Sequence, residues 1–228
     1  MNPCKHIKQV SNFDELVSTR FQGEINAICW SRELKGDFAE IVHSFTFSEN
    51  MIELDLEELR ELKLSEEGHI ARKILIKDFE LLKDFGAQPT LNIIKYYERD
   101  DSYPFFPTDV YSWHVDRSPI PGATFLCTYH GNSSDILANA DAEQKILVPE
   151  IRAELKKLFQ GSEESLEAFL EENFFDLHYQ AKANAKAINL GLGHLWRLAV
   201  DSPESEVLPC IHRAPMEKNG GKRLLLIC

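Results

Sequence analysis

The feature that most constrains the fold is a change in pattern near Gln88, where long helical patterns give way to short apolar runs separated by turns. These runs are rich in branched and aromatic residues, which favour β-strands, and glycine and proline stand between them. A succession of this kind is typical of a β-barrel or a β-sandwich. The predicted strands cover residues 90–97, 110–116, 123–129, 191–200, 207–212 and 223–228.

The first 87 residues are mainly helical and are predicted to support the β region. Apolar residues three and four positions apart over residues 34–45 form one face of an amphipathic helix. A longer helix is predicted to begin after Ser65 and to end at Gly86, with its charged residues on a solvated face. Weaker signals predict a short helix capped near Ser11, a strand within residues 24–30, and a strand that turns into a helix within residues 51–64.

Helix-forming sequence interrupts the β pattern over about residues 138–190. Apolar residues at helical spacing usually pack against a core, although a lid over a site has the same pattern. The chain of 228 residues is long enough to bury a sizeable core, and we expect one domain over residues 1–228. The predicted fold class is α+β, with helices in residues 1–87 and a β core with a helical insert in residues 88–228.

Charge and cysteine content exclude several classes of protein. The chain has 37 acidic and 25 basic residues and a net charge of -12, which repels phosphate backbones and argues against extended nucleic acid as a partner. The odd number of cysteines favours reduced thiols over a disulfide framework. The first residues form no apolar signal region, and no run reaches membrane-spanning length, so we expect a cytoplasmic protein with no membrane partner. The cysteines are Cys4, Cys29, Cys127, Cys210 and Cys228.

Two potential metal ligands lie in the predicted strand 110–116. His114 and Asp116 are two positions apart, and because side chains in a strand alternate between faces, both point to the same face. Two protein ligands make a poor site, and the best candidate for a third is His212 at the end of a later predicted strand. Two histidines and one carboxylate with open coordination positions form the facial triad of non-heme Fe(II) oxygenases.

Arg223, at the start of the last predicted strand, is a candidate anion anchor. Arg223, Leu225 and Ile227 share one face of that strand, so the arginine is predicted to point inward beside apolar neighbours, where it needs an anion. Taken separately, the candidates have simpler interpretations, namely a surface arginine and histidines in structural hydrogen bonds. Taken as an ordered set, His114, Asp116, His212 and Arg223 favour a metal site.

This ordered set resembles the Fe(II)/2-oxoglutarate-dependent dioxygenases. In that superfamily a double-stranded β-helix supplies His-x-Asp/Glu from one strand and a distal histidine from another, and an arginine or lysine about one strand further on binds the far carboxylate of 2-oxoglutarate. The resemblance covers mainly residues 88–228 and implies a double-stranded β-helix (jelly-roll) core. It also implies that His114, Asp116 and His212 are the iron ligands and that Arg223 is the co-substrate anchor.

Four segments also resemble a bacterial subfamily of similar length whose activity is uncharacterised. The long insert after Leu137 departs from that subfamily. The segments that carry the resemblance are 28–32, 114–116, 128–131 and 212–215.

The resemblance implies Fe(II) as cofactor and 2-oxoglutarate as co-substrate. The reaction would release succinate and CO2 while it hydroxylates or demethylates a substrate, for which a small molecule, an amino-acid side chain and a modified base are all open. By analogy with other members, Asn92, Tyr97 and Thr128 could hydrogen-bond 2-oxoglutarate. The pocket for the substrate is expected to involve the loop 99–108.

Two other functions are open at this point. A cupin-like metal enzyme would bind its substrate directly, without 2-oxoglutarate, and its metal binding would not depend on Arg223. A non-catalytic ligand-binding or protein-binding barrel would retain no metal and would tolerate His114→Ala. The exposed apolar insert could form a homodimer interface. Four further residues near the candidate site, His130, His194, Arg117 and Arg213, have no assigned role.

Overall fold

Two mostly antiparallel β-sheets form the centre of the structure, a computed structural model that describes residues 5–100, 102–216 and 220–228, with the backbone alone of residue 163. The strands are β1 (Ile7–Val10), β2 (Ala27–Trp30), β3 (Met51–Glu53), β4 (Thr90–Ile94), β5 (Trp113–His114), β6 (Ala123–His130), β7 (Asp135–Leu137), β8 (Ala142–Gln144), β9 (His178–Ala181), β10 (Ile188–Asn189), β11 (Leu195–Ala199), β12 (Ile211–Arg213) and β13 (Arg223–Ile227). The α-helices are α1 (Phe13–Ser18), α2 (Phe38–Ser44), α3 (Leu56–Glu61), α4 (Glu66–Asp84), α5 (Pro149–Leu158) and α6 (Leu166–Glu172). The fold is therefore mixed α/β.

The order of the strands brings distant parts of the chain together. The larger sheet has the order β1-β2-β11-β6-β13-β4-β3, and the smaller sheet has the order β10-β7-β12-β5-β9-β8. Four antiparallel pairs are nested in sequence: β4 with β13, β5 with β12, β6 with β11, and β7 with β10. The chain from β4 to β7 therefore lies antiparallel to the chain from β10 to β13. The neighbours β1 and β2 pair in parallel.

The larger sheet packs on both of its faces. Leu224 and Leu226 of β13 point outward into an apolar cluster that contains Leu75 of α4, whereas Leu225 points inward into a cluster that contains Ile136 of the smaller sheet. Alternation along the strand therefore separates a helix-covered outer core from an inner core between the sheets.

Most predictions for the first 87 residues are confirmed. The predicted helix over residues 34–45 is α2, which begins later than expected because Asp37 caps it, and Ser65 caps α4. Residues 51–64 contain both β3 and α3, as expected. The strand β1 is not among the predicted strands. The prediction that the charges of α4 lie on a solvated face is wrong for Asp78, which is only 1% exposed.

The predicted strand 110–116 is wrong in extent, because only β5 at its centre is a strand. Asp109 begins a turn just before β5. Its carboxylate accepts a hydrogen bond from the Tyr111 N–H at 3.0 Å, and its carbonyl accepts one from the Ser112 N–H at 3.1 Å. A residue in such a turn cannot join a ladder. Asp116 lies beyond the end of β5, and its carbonyl accepts a hydrogen bond from the chain after β11 at 2.8 Å.

The insert predicted to be helical over residues 138–190 is only partly so. It contains α5 and α6, but its two ends form β8, β9 and β10, which join the smaller sheet. β9 pairs with β5 on one side and β8 on the other. These pairings depend on partners elsewhere in the chain, and a short strand of mixed polarity gives little local signal for them.

Two further findings concern the cysteines and the helices. Cys29, Cys127, Cys210 and Cys228 are free thiols, and Cys4 lies outside the described residues. Within the part of the chain that the structure describes, every helix is too short or too polar to cross a membrane.

Candidate metal centre

The candidate metal centre is built on one cross-strand pair. His114 of β5 and His212 of β12 are directly opposite each other, with ring centroids 4.4 Å apart. The carboxylate of Asp116 approaches the same point, with Oδ2 3.6 Å from Nε2 of His212. Each of the three residues offers one ligand atom, and these atoms all lie within 4.8 Å of one another. The triad can therefore hold a metal ion.

Backbone carbonyls orient the two imidazoles. Nδ1 of His114 lies 2.8 Å from the Ser112 carbonyl, and Nδ1 of His212 lies 3.2 Å from the Cys210 carbonyl. A carbonyl only accepts hydrogen bonds, so each Nδ1 carries the proton and each Nε2 presents its lone pair. This is the tautomer that a metal ligand requires, and the carbonyl contact is the usual outer partner of a ligating histidine.

Asp116 is held as a carboxylate. The Thr124 hydroxyl donates a hydrogen bond to its Oδ2. Burial alone would raise the pKa of Asp116, but His212, the Thr124 hydroxyl and His114 together lower it below its usual range. The group is therefore ionised at neutral pH, as a metal ligand must be.

His114 and His178, which lie on the neighbouring strands β5 and β9, are neutral. Burial, with a contribution from His212, lowers the pKa of His114 to about 4. His178 of β9 has its ring centroid 6.0 Å from that of His114, and burial lowers its pKa to about 3. The Ser112 hydroxyl donates to the Asp109 carbonyl at 2.8 Å, so it accepts from Nδ1 of His178 at 2.9 Å. Ser112 thus orients both rings.

Arg223 lines the same cavity as the triad. The guanidinium is buried, with the residue 4% exposed, and its Nη2 donates to the Ser134 hydroxyl at 2.8 Å and to the Thr128 hydroxyl at 3.4 Å. The cavity has a volume of about 120 Å³. It is lined by Tyr97, Val110, His114, Asp116, Leu126, Ser134, His212, Ala214, Arg223, Leu225 and Ile227.

The chain matches no family model, no curated protein and no solved structure with which it was compared. The chemistry open to the site is therefore argued from its own donor atoms. Two imidazole nitrogens and one carboxylate suit a divalent transition metal such as Fe(II), and three protein ligands leave further coordination positions for small molecules.

The three residues predicted to contact a co-substrate lie at different distances from the cavity. Tyr97 lines it, and its backbone N–H donates to the Tyr111 hydroxyl at 2.8 Å. The Thr128 hydroxyl accepts a hydrogen bond from Nη2 of Arg223, and Thr128 is outside the set of described residues that line the cavity. Asn92 donates to the Thr90 hydroxyl at 2.9 Å and is outside the set of described residues that line the cavity.

Arg213 and Arg117, two of the four residues left without a role, lie on the outer side of the smaller sheet or at its end. Arg213 stacks on Trp113, with its guanidinium carbon 4.3 Å from the ring centroid, and pairs with Asp135 at 3.0 Å. Arg117 pairs with two aspartates, Asp176 and Asp201. The charges of both arginines are thereby matched by carboxylates.

The other two residues without a role are histidines that lie away from the triad. Nδ1 of His194 accepts from the Arg32 N–H at 3.1 Å. His130 has its ring centroid 6.3 Å from that of His43. Neither histidine lines the cavity, as far as the described residues show.

Sequence reasoning missed the residues that orient the ligands. Ser112 and Cys210 each precede a histidine by two positions and act through their carbonyls, so their side-chain identity gives no signal. Thr124 and Ser134 act through hydroxyls that reach the site from β6 and from the turn after it. Alternation with apolar neighbours could have indicated that Thr124 points inward, but Ser134 lies in a turn between two polar residues and gives no such signal.

Proposed function

We propose that this protein is an Fe(II)/2-oxoglutarate-dependent oxygenase that hydroxylates or demethylates its substrate and releases succinate and CO2. The observation that carries the proposal is that His114, Asp116, His212 and Arg223 line one small cavity. A divalent-metal ligand set and a buried guanidinium on one cavity suit a ligand that chelates the metal at one end and carries an anion at the other.

The strand order supports a double-stranded β-helix as the fold. The eight strands β4 to β7 and β10 to β13 form nested antiparallel pairs, and four of them lie in each sheet. A long antiparallel double strand that is rolled into two facing sheets is a jelly roll. β5 and β12, which carry the two histidines, are neighbours in the smaller sheet of this roll.

The donor set fits Fe(II). One carboxylate and two neutral imidazoles leave one positive charge on a divalent ion and leave room for a bidentate keto acid and oxygen. When bound, the iron and 2-oxoglutarate supply the oxidising chemistry, in which oxidative decarboxylation of the keto acid provides electrons for the reduction of oxygen. The protein's own contribution is to hold and orient these groups.

The groups in and around the cavity have distinct parts in that task. The Ser112 and Cys210 carbonyls hold the imidazole rings, so that both Nε2 atoms converge. The Arg223 guanidinium binds the far carboxylate of the co-substrate through charge-assisted hydrogen bonds and cannot lose its charge. Apolar residues complete the lining and keep water from the bound ligand; they are Val110, Leu126, Ala214, Leu225 and Ile227.

The size of the cavity separates the co-substrate from the main substrate. An apolar cavity of roughly 150 Å³ admits a molecule as small as benzene, and this one has about 120 Å³. It therefore leaves no room for a main substrate beside the metal and its co-substrate. The main substrate would approach from the side of Tyr97 and Val110, which flank the loop 99–108.

The proposal is tested by isothermal titration of 2-oxoglutarate into anaerobic, Fe(II)-loaded protein. We expect saturable binding that requires iron and is lost in His212→Ala and in Arg223→Ala. Arg213→Ala is the matched control, because it removes an arginine beside His212 whose charge pairs with Asp135 instead of facing the cavity. A weak visible absorption band from chelation of the metal by the keto acid should follow the same pattern.

The other outcomes identify the rival functions. Metal binding without 2-oxoglutarate binding would contradict the proposal and favour a cupin-like enzyme that binds its substrate directly. Absence of both would mean that the triad holds no metal, and the protein would then be a binding module.

A further inference from the structure

We infer that Asn26 and Asn139 are positioning residues for the metal ligand His212. This inference rests on the proposed metal site, but it concerns two side chains that contact neither the triad nor the cavity. They act through the backbone of the segment that leads into β12. We call this pair the amide clamp.

The amide clamp joins three distant parts of the chain. Asn26 lies just before β2, and its Nδ2 donates to Oδ1 of Asn139 at 2.7 Å, to the Leu208 carbonyl at 3.1 Å and to the Pro209 carbonyl at 3.3 Å. Nδ2 of Asn139, which follows β7, donates to the same Pro209 carbonyl at 3.1 Å. Two amides therefore converge on one carbonyl group, three residues before His212.

The segment that the clamp holds has little other support on that side. Leu208 is 66% exposed and lines a cavity of about 720 Å³, together with Asn26 and Asn139. Pro209 has no backbone N–H with which to join a ladder. Hydrogen bonds to its carbonyl therefore help to fix the path of the chain at this point.

The position of this segment reaches His212 through one carbonyl. Cys210 follows Pro209, its N–H donates to the Ala199 carbonyl at 2.8 Å, and its own carbonyl accepts from Nδ1 of His212. A shift of Pro209 rotates the peptide that it shares with Cys210 and moves the carbonyl that orients the imidazole. Loss of an outer partner of a ligating histidine typically weakens metal binding 10- to 100-fold.

The clamp also has a cost that stability alone does not explain. Asn26 is 2% exposed, and its Oδ1 has no hydrogen-bond partner among the residues that the structure describes. A buried carbonyl oxygen without a donor destabilises the folded state, and an apolar pair of similar shape would avoid that cost. The hydrogen bonds that the two amides donate to the Leu208 and Pro209 carbonyls are what an apolar pair could not supply.

The test measures Co(II) binding, with Co(II) as a spectroscopic probe for the divalent ion, in Asn26→Ala, Asn139→Ala and the double variant. Each single variant is expected to raise the Kd for Co(II) about 10-fold, near the lower end of the effects of such outer partners, and to change the d–d absorption of the bound ion. The double variant should add little to the larger single effect, because both amides act on one carbonyl. Asn139→Ala is the milder change, since Asn139 is only partly buried.

Tyr129→Phe is the control. It also removes one buried hydrogen bond, from the Tyr129 hydroxyl to Asp78 at 2.7 Å, but on the outer face of the larger sheet. Thermal unfolding of every variant identifies a temperature at which all of them are folded. At that temperature the control should bind Co(II) as the wild type does. Clamp variants with wild-type affinity and spectrum would overturn the inference and leave the proposed function standing. A wild-type protein that binds no Co(II) would overturn both.

Discussion

Two arginines with largely covered side chains lie on opposite faces of the larger sheet, and their surroundings differ. Arg32, on the outer face, forms a bidentate pair with Asp78 of α4, with both N–O distances at 2.7 Å, and its Nε donates to the Gly193 carbonyl at 2.9 Å. Arg223, on the inner face, donates to two neutral hydroxyls and lines the cavity of the triad. The first arginine is enclosed by the protein, whereas the second adjoins a space that a ligand can enter.

The difference separates a structural cluster from the proposed binding cluster. The Arg32 cluster brings its own carboxylate, and Tyr129 adds a hydroxyl to the same Asp78 at 2.7 Å, so no ligand is needed. Its role is to join α4 to the sheet. The cavity on the inner face instead collects metal-binding atoms and a guanidinium around an open volume. Burial of an arginine alone therefore does not indicate a site; the cavity beside it does.

The largest expected effect comes from breaking the outer cluster. Asp78→Ala leaves the Arg32 guanidinium buried without its carboxylate, and removal of one partner of a buried pair typically costs about 3–5 kcal/mol. Urea unfolding should show this loss. Variants that fold should bind Co(II) and 2-oxoglutarate as the wild type does. Equal losses of stability and of ligand affinity would contradict the separation of the two clusters.

Substitution of Arg223, the inner arginine, should instead weaken the binding of 2-oxoglutarate. Arg223→Leu removes the proposed partner of the far carboxylate, and loss of one side of a buried charge pair costs about 2–5 kcal/mol of binding free energy. Titration calorimetry should therefore show at least a 30-fold weaker affinity for 2-oxoglutarate. Arg223→Lys should fall between the two, because an ammonium cannot make two parallel hydrogen bonds. Binding of Co(II) alone should not change.

A smaller effect is expected from the hydroxyl that orients Asp116. Thr124→Val keeps the shape of the side chain but removes its hydrogen bond to the carboxylate, which should weaken Co(II) binding by roughly 10-fold. Thr128→Val is the matched control on the same strand, because Thr128 contacts Arg223 and not the triad. It should change the affinity for 2-oxoglutarate only. If both variants weakened Co(II) binding alike, Thr124 would have no specific part in the site.

The inner cluster should also make the stability of the protein depend on pH. The pKa values of His114 and His178 are lowered to about 4 and about 3 by burial, so both remain neutral in the folded protein while the unfolded chain binds protons below about pH 6.5. The metal-free protein should therefore lose stability as the pH falls from 6.5 towards 4, by about 1 kcal/mol per pH unit for each group. His178→Phe should make the slope of the unfolding free energy against pH shallower. A flat profile in the wild type would contradict this assignment.

Arg32 and Tyr129 of the outer cluster should not contribute to that slope. The pKa of Arg32 is raised by its contacts with Asp78, which outweigh burial, and burial raises the pKa of Tyr129 well above its usual value. Neither group changes its charge between pH 4 and 6.5. The pH profile of Tyr129→Phe should therefore run parallel to that of the wild type.

Much of the candidate site follows from local pattern. Two-residue alternation predicts that Arg223, Leu225 and Ile227 point to one side, and all three line the cavity. The ordered set His114, Asp116, His212 and Arg223 favours a metal site, and the three donor residues of that set do lie together in the structure. Asp116 reaches the triad although it lies beyond β5, so the alternation argument predicted its place while the predicted strand was too long.

The remainder depends on contacts that local pattern does not contain. Asp78 has the spacing of a solvated helix charge, and its burial is decided by Arg32, which comes from another part of the chain. β9 lies within sequence that favours helices and becomes a strand because β5 and β8 pair with it. The carbonyls that orient the two histidines are common to all residues, so only their position in three dimensions distinguishes them.

The place of β13 has a consequence for how the protein is made. It is the last of the described strands to leave the ribosome, yet it lies between β6 and β4 in the larger sheet. Until it arrives, β4 and β6 each present an unpaired edge to other nascent chains and to chaperones. Because Arg223 begins this strand, the step that closes the sheet also delivers the guanidinium to the cavity. A ribosome stalled before β13 would thus hold a chain whose triad is already translated but whose proposed anion anchor is missing.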